Sequence, residues 1–99
     1  MEINVDKETD GKKITFYIFG RIDTTTAPEL QAKVDKYPDA EEMEMDFSRV
    51  DFISSAGLRV LLATHKNFIF KKGLTISNVQ KSVMDVFEVT SFTDVLNIV

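Results

Sequence analysis

Two hydrophobic rhythms meet head to tail between Met43 and Ile69, and the five residues Ser54-Ser55-Ala56-Gly57-Leu58 sit at their junction. Met43–Ile53 reads as an apolar strand followed by a short loop, whereas Leu58, Leu61, Leu62 and Ile69 recur on one face at helical spacing. A strand that hands over to an amphipathic helix points to a layered α/β arrangement, because each element must bury its apolar side against the other. A serine at such a junction suits two jobs. Its hydroxyl caps the helix, and it stands exposed enough to take part in chemistry.

The flanking segments repeat the alternation. Glu2–Val5 and Lys13–Phe19 are strand-like on either side of the turn-prone Thr9-Asp10-Gly11, which predicts an antiparallel hairpin. Both alternating sets of Ile14–Phe19 are largely apolar, as in a central strand, and Gly20 is expected to break the run. Thr26-Ala27-Pro28-Glu29 predicts a helix start, with a threonine cap, proline in the first turn and a glutamate placed to complete a capping box. Leu30 and Val34 supply its buried stripe, and Tyr37-Pro38 should end it. Glu41–Phe47 is the next strand. The helix after the serines is expected to run to about Lys72, with Lys71 and Lys72 at its negative end and Gly73 as its stop. Leu74–Val79 then reads as a strand and Ser82–Val89 as a helix turning Val83, Val86 and Phe87 inward, and Phe92–Val99 as half helix and half strand. The order β-β-α-β-α-β-α predicts an α/β fold with a mixed sheet of four or five strands and about four helices. At 99 residues, without repeats or linkers, the chain (1–99) is expected to be a single domain.

Composition removes several classes of function. With 16 acidic against 12 basic residues the formal charge is −4, and no basic stripe emerges, so a nucleic-acid partner is not expected. The absence of cysteine rules out disulfides, thiol catalysis and cysteine-based metal sites, and is compatible with a reducing cytosol. Apolar runs reach about five residues, far short of the ~20 that cross a bilayer, and no signal peptide is visible, so membrane insertion is not expected.

Catalysis by the serines themselves fails on geometry. A strand-to-helix serine resembles the nucleophile elbow of hydrolases, but Ile53 and Ser54 stand where a glycine-flanked elbow is required. The single histidine, His65, lies ten residues along the same helix, about 15 Å down its axis, beyond the reach of a proton-abstracting base. It reads as a structural residue at the core boundary. Glu41, Glu42, Asp46 and Asp51 scatter around a strand without converging, and the isolated glycines form no phosphate loop, which disfavours a nucleotide hydrolase. What remains is a serine that receives chemistry. A phosphate at a helix N-terminus meets free N–H groups and the positive end of the dipole, leaving the fold intact while adding about −1.5 to −2 charge for a docked partner to meet. Ser55 is the first choice and Ser54 the second, while spacing alone favours the plainer reading, that either serine merely caps the helix.

Four motifs in order then carry a resemblance. Gly20-Arg21-Ile22-Asp23, Thr26-Ala27 with Leu30, Asp46-Phe47-Ser48 and Ile53-Ser54-Ser55-Ala56-Gly57-Leu58 resemble, over the whole chain, the STAS family, and in particular its stand-alone anti-sigma factor antagonists in bacterial partner switching. Val83–Phe87 and Thr90-Ser91-Phe92 are similar to the family's closing segment. The resemblance implies a cytoplasmic binding protein without enzymatic activity or cofactor. Its partners would be an anti-sigma factor that is also a serine kinase, released once the antagonist is phosphorylated, and a PP2C-type phosphatase that resets the switch. Carried onto this chain, Ser55 takes the phosphoacceptor position, Asp23 is expected beside it, and Ser54, Ala56, Gly57 and Arg59 surround it. For Asp23 a plain turn aspartate is an equal reading. Ser54 stands where many members carry aspartate, and Ser91-Phe92 where glycine-leucine is usual. The alternative is a constitutive, non-phosphorylated STAS scaffold or accessory subunit of a transporter or signalling complex. Tyr17 and Phe19 are candidates for a weak homodimer contact.

Overall fold

Five strands hydrogen-bond in chain order in the computed structural model, which describes residues 1–99. Strands β1 (Glu2–Lys7) and β2 (Lys13–Ile22) form the expected antiparallel hairpin. Strands β3 (Glu42–Ile53), β4 (Gly73–Ser77) and β5 (Asn97–Ile98) each run parallel to the strand before them. Helices α1 (Ala27–Val34), α2 (Ser55–Phe68) and α3 (Lys81–Val89) make the crossovers, with a 3₁₀ turn at Phe92–Asp94 before the last strand.

Each crossover steps one strand further in the same direction, so crossovers of one hand gather the helices on one face. Burial follows that logic. Ile14, Phe16 and Ile18 of β2, Met43, Met45 and Phe47 of β3, and Leu74 and Ile76 of β4 are all within 2% of complete burial. The helices answer with Leu30, Leu61, Val83 and Phe87 in the same apolar cluster, and the rings of Phe47 and Phe87 lie 6.2 Å apart. The alternate residues Thr15, Tyr17, Glu44, Asp46 and Thr75 point to the other face, which no helix covers; Tyr17 is 40% exposed there. β2 is thus interior in its hydrogen bonding but buried on one face only.

Four element boundaries differ from the sequence expectation by about three residues or more, each for a tertiary reason. Gly20 does not break β2. The strand continues to Ile22 around register shifts at Tyr17/Phe19 and Gly20/Arg21, and Gly20 takes φ +112° at the irregularity. β3 likewise continues to Ile53, because its buried positions change spacing from Met43, Met45, Phe47 to Val50 and Ile53. A bulged strand therefore imitates a loop in its residue pattern. Helix α1 ends at Val34, and the turn that follows places Tyr37 edge-on to Phe16 at 5.9 Å.

The fourth difference is the end of α2, which stops at Phe68 and not near Lys72. The Lys71 ammonium donates to the carbonyls of Pro38 (3.3 Å) and Ala40 (3.0 Å), and the Lys72 N–H to that of Glu41 (2.9 Å). These bonds draw residues 69–72 off the helix axis and into β4, which Gly73 opens at φ +101°. Ile69, expected on the buried stripe, is 54% exposed as a result. In α3, Val83 and Phe87 are fully buried while Val86 is only half-buried.

Candidate functional site

The carboxyl ends of β2 and β3 lie side by side, with Ile22 opposite Ile53, and both chains turn there into helices. The two turns are joined directly: the Ser54 N–H donates to the Ile22 carbonyl at 2.8 Å. Asp23, next after Ile22, and Ser54-Ser55 therefore occupy neighbouring places on one rim.

The two serines have different environments. Ser54 is half-buried and extended (φ −96°, ψ 174°), and its Oγ accepts from the Gly57 N–H at 3.4 Å, so it is the N-cap of α2. Ser55 is the first helical residue and is exposed. The first-turn N–H groups have no carbonyl behind them in the helix, which leaves positive potential around its hydroxyl. Ala56 is half-buried against the core and Arg59 is exposed.

Gly57 is buried, and its position is dictated by contact. A Cβ there would stand 2.7 Å from both Ile22 Cγ2 and Ile53 Cγ1 and 3.2 Å from the Ile22 carbonyl oxygen. Only glycine lets the first turn of α2 sit this close to the strand ends. The Ser-Ala-Gly-Leu order thus combines an exposed hydroxyl, a close approach at Gly57 and a buried anchor at Leu58.

On the β2 side, Asp23 does what the sequence assigned to Thr26 and Glu29. Asp23 Oδ1 accepts from the N–H groups of Thr25 (2.9 Å) and Thr26 (3.0 Å), and the Asp23 carbonyl accepts from Ala27 N–H at 2.8 Å. Thr26 already has helical backbone angles and makes no side-chain cap; its hydroxyl instead accepts from the Asp23 N–H (2.8 Å) and donates to the Arg21 carbonyl (2.6 Å). The capping box with Glu29 does not form. The Thr26 N–H bond chiefly holds the Asp23 carboxyl below its ordinary value of 3.8; partial desolvation opposes, and Thr25, the Thr26 hydroxyl and Arg21 assist. Asp23 is therefore ionised at neutral pH, with Arg21 Nε 3.8 Å from its Oδ2.

One further residue borders the rim. Phe52, 38% exposed, lies under the Arg21 guanidinium, 4.1 Å from its ring centroid, and sequence reading passed over it because the bulged strand hid its side. Asp46 has a structural part. Its Oδ1 accepts from Ser48 N–H (2.8 Å) and its Oδ2 from Asn78 Nδ2 (3.0 Å). Partial burial alone would raise its pKa, but the bonds from Ser48 and Asn78 outweigh it and the carboxyl is held low. No group of three or more histidine, cysteine, aspartate or glutamate side chains is gathered as a metal site, and no helix is long and apolar enough to cross a membrane.

The sequence profile of the STAS domain matches residues 4–99. The chain is a member of the STAS family. This STAS chain is 31% identical over 103 residues to the anti-sigma-B factor antagonist of Bacillus subtilis, covering 99% of this chain and 92% of that one. It is 33% identical over 98 residues to BtrV of Bordetella bronchiseptica, covering 96% and 83% respectively. Its fold matches that of the Bacillus anti-sigma factor antagonist SpoIIAA, at 16% identity, in two forms. The unphosphorylated form gives a TM-score of 0.75 over 99% of this chain and 87% of SpoIIAA, and the phosphorylated form 0.74 over 99% and 91%. Within the STAS domain, the rim built by Asp23, Ser54, Ser55 and Gly57 is the best-defined candidate site of this chain.

Proposed function

We propose that this chain, acting as one STAS domain over residues 1–99, is a cytoplasmic anti-sigma factor antagonist whose Ser55 is the phosphoacceptor. Unphosphorylated, it binds an anti-sigma factor that is also a serine kinase and so frees a sigma factor; phosphorylation ends the binding, and a PP2C-type phosphatase restores it. The observation that carries the reading is the division of labour between the two serines: Ser54 is engaged as the helix cap, and Ser55 is left exposed with no structural duty. SpoIIAA, solved in both phosphorylated and unphosphorylated forms, lends support from a protein of the same fold.

The physical account is electrostatic. A phosphate on Ser55 gains about 0.3–1 kcal/mol from the exposed helix N-terminus, so the fold survives modification. The same group puts about −1.5 to −2 charge on a rim that already holds the ionised Asp23, and a partner fitted to the unmodified rim meets both charge and desolvation cost. Asp23, Ala56 and Arg59 would be surface that the partner reads, while Ser54 and Gly57 shape it. Arg59, just past the first turn of α2 and without an ion pair in the chain, is available to a partner's carboxylate or to the phosphate.

Intact-mass spectrometry and peptide mapping after incubation with ATP and the anti-sigma factor kinase test this directly. One adduct of about 80 Da on Ser55, absent in Ser55→Ala and retained in Ser54→Ala, is the expected result. Phosphorylation of Ser55→Ala to the wild-type level would refute the assignment. Absence of any adduct with binding retained would make the chain a constitutive STAS scaffold, the reading that Ser54 in place of the family's aspartate favours.

A further inference from the structure

The pole opposite Ser55, about 20 Å away along α2, carries a knob and a hole. Phe70 is 98% exposed and Ile69 54% exposed in the turn that leaves the helix. Beside them, a cleft of about 300 Å³ opens between the ends of α1 and α2, walled by Val34, Tyr37, Pro38 and Phe68 and edged by the polar side chains of Asp35, Asn67 and Lys71. A phenylalanine held almost wholly in water has no role inside this molecule, and the sheet and helices are complete without it. The charges around it are also unspent: Lys66, Lys72 and Asp35 take part in no ion pair within the chain.

We propose that this pole is where a second copy of the chain docks, Phe70 of each copy seated in the cleft of the other. The contact is isologous, so one patch must be complementary to itself, and this one is. It presents a projecting aromatic together with a cleft whose walls are partly apolar, and unpaired lysines together with an unpaired aspartate. A basic tip alone would suit an anionic membrane, but a membrane has no use for the cleft or for Asp35. Two phenylalanines, two isoleucines and the walls that receive them remove on the order of 1,000 Å² from water, at the low end of specific interfaces. The dimer is accordingly weak, with a dissociation constant on the order of 0.1–1 mM, and it leaves the Ser55 rim of both copies open.

Sedimentation velocity over about 10 μM to 1 mM tests the proposal on the intact chain. The expected result is a concentration-dependent dimer whose dissociation constant rises at least about tenfold in Phe70→Ser, a change at an exposed side chain that leaves the fold in place, and that weakens with added salt. The chain contains no tryptophan, so Phe70→Trp supplies a single tryptophan, excited selectively over the two tyrosines, whose emission should shift to shorter wavelength as the dimer forms. A monomer throughout the range, or a dimer that survives Phe70→Ser and is lost in Tyr17→Ser on the open sheet face, overturns the proposal. So does Phe70-dependent binding to phosphatidylglycerol vesicles by a chain that remains monomeric.

Discussion

At the scale of single residues, adjacent side chains of the same type have separable duties. Ser54→Ala removes the α2 cap, and because that bond is long at 3.4 Å the cost should fall at the low end for caps, about 0.5–1 kcal/mol in urea unfolding. Ser55→Ala should change stability by less than about 0.5 kcal/mol, as for an exposed surface position. Equal losses in the two variants would contradict the division of labour. Gly57→Ala is a different case. Its methyl group would collide with Ile22 and Ile53 at 2.7 Å, and overpacking of this kind costs about 1–3 kcal/mol while tilting the helix start that presents Ser55. Asp23 sets a pH dependence. Its folded pKa lies below the ordinary 3.8, so the stability it adds is present above that value and is lost as pH falls through the folded pKa. Asp23→Asn should therefore flatten the acid limb of a plot of urea midpoint against pH, and an unchanged limb would show that the Thr25 and Thr26 bonds do not persist in solution. The carboxylate itself was legible as part of a motif. Its bonds to the backbone ahead of it were not, because Thr26 looks like the better cap until its own backbone is seen to be helical already.

At the scale of elements, the closing segment shows how one backbone angle selects a residue. Ser91 adopts φ +63°, a left-handed conformation that costs non-glycine residues roughly 1–2 kcal/mol, and it stands where the family usually places glycine. Glycine loses more entropy on folding, so Ser91→Gly should stabilise the chain by about 0.5–1 kcal/mol net, read as a higher urea midpoint. A lower midpoint would mean that the Ser91 hydroxyl contributes more than the strain costs. Helix α3, which this turn terminates, is held to the sheet by Val83 and Phe87, both fully buried. The sequence pattern located that helix and its two anchors because a short amphipathic helix repeats its apolar residues every three to four positions. It overestimated α2 for the same reason. Ile69 continues the periodic stripe, and nothing local announces that Lys71 will reach across to the carbonyls of Pro38 and Ala40.

At the scale of the whole molecule, the layered architecture separates two poles. The carboxyl ends of β2 and β3 gather Asp23, Ser54 and Ser55, while the turn from α2 into β4 and the end of α1 gather Phe70 and the cleft. Because the buried side chains of sheet and helices form one apolar cluster between the poles, changes confined to exposed residues at one end should not reach the other. Phe70→Ser is expected to leave phosphorylation of Ser55 unchanged in rate and stoichiometry, and altered kinetics in that variant would show that dimerisation and modification are coupled. The order of elements, the hairpin and the placing of Ser54-Ser55 at a strand-to-helix junction were determined by the sequence alone, since periodicity and capping residues act within a few positions of one another, whereas Asp23 beside them was only implied by the family resemblance. The tertiary structure alone decided which serine caps and which stays free, why position 57 admits only glycine, and where α2 ends to leave Phe70 in water. Those outcomes rest on contacts between residues some thirty positions apart, Ser54 with Ile22 and Lys71 with Pro38 and Ala40, which exist only once the strands have paired.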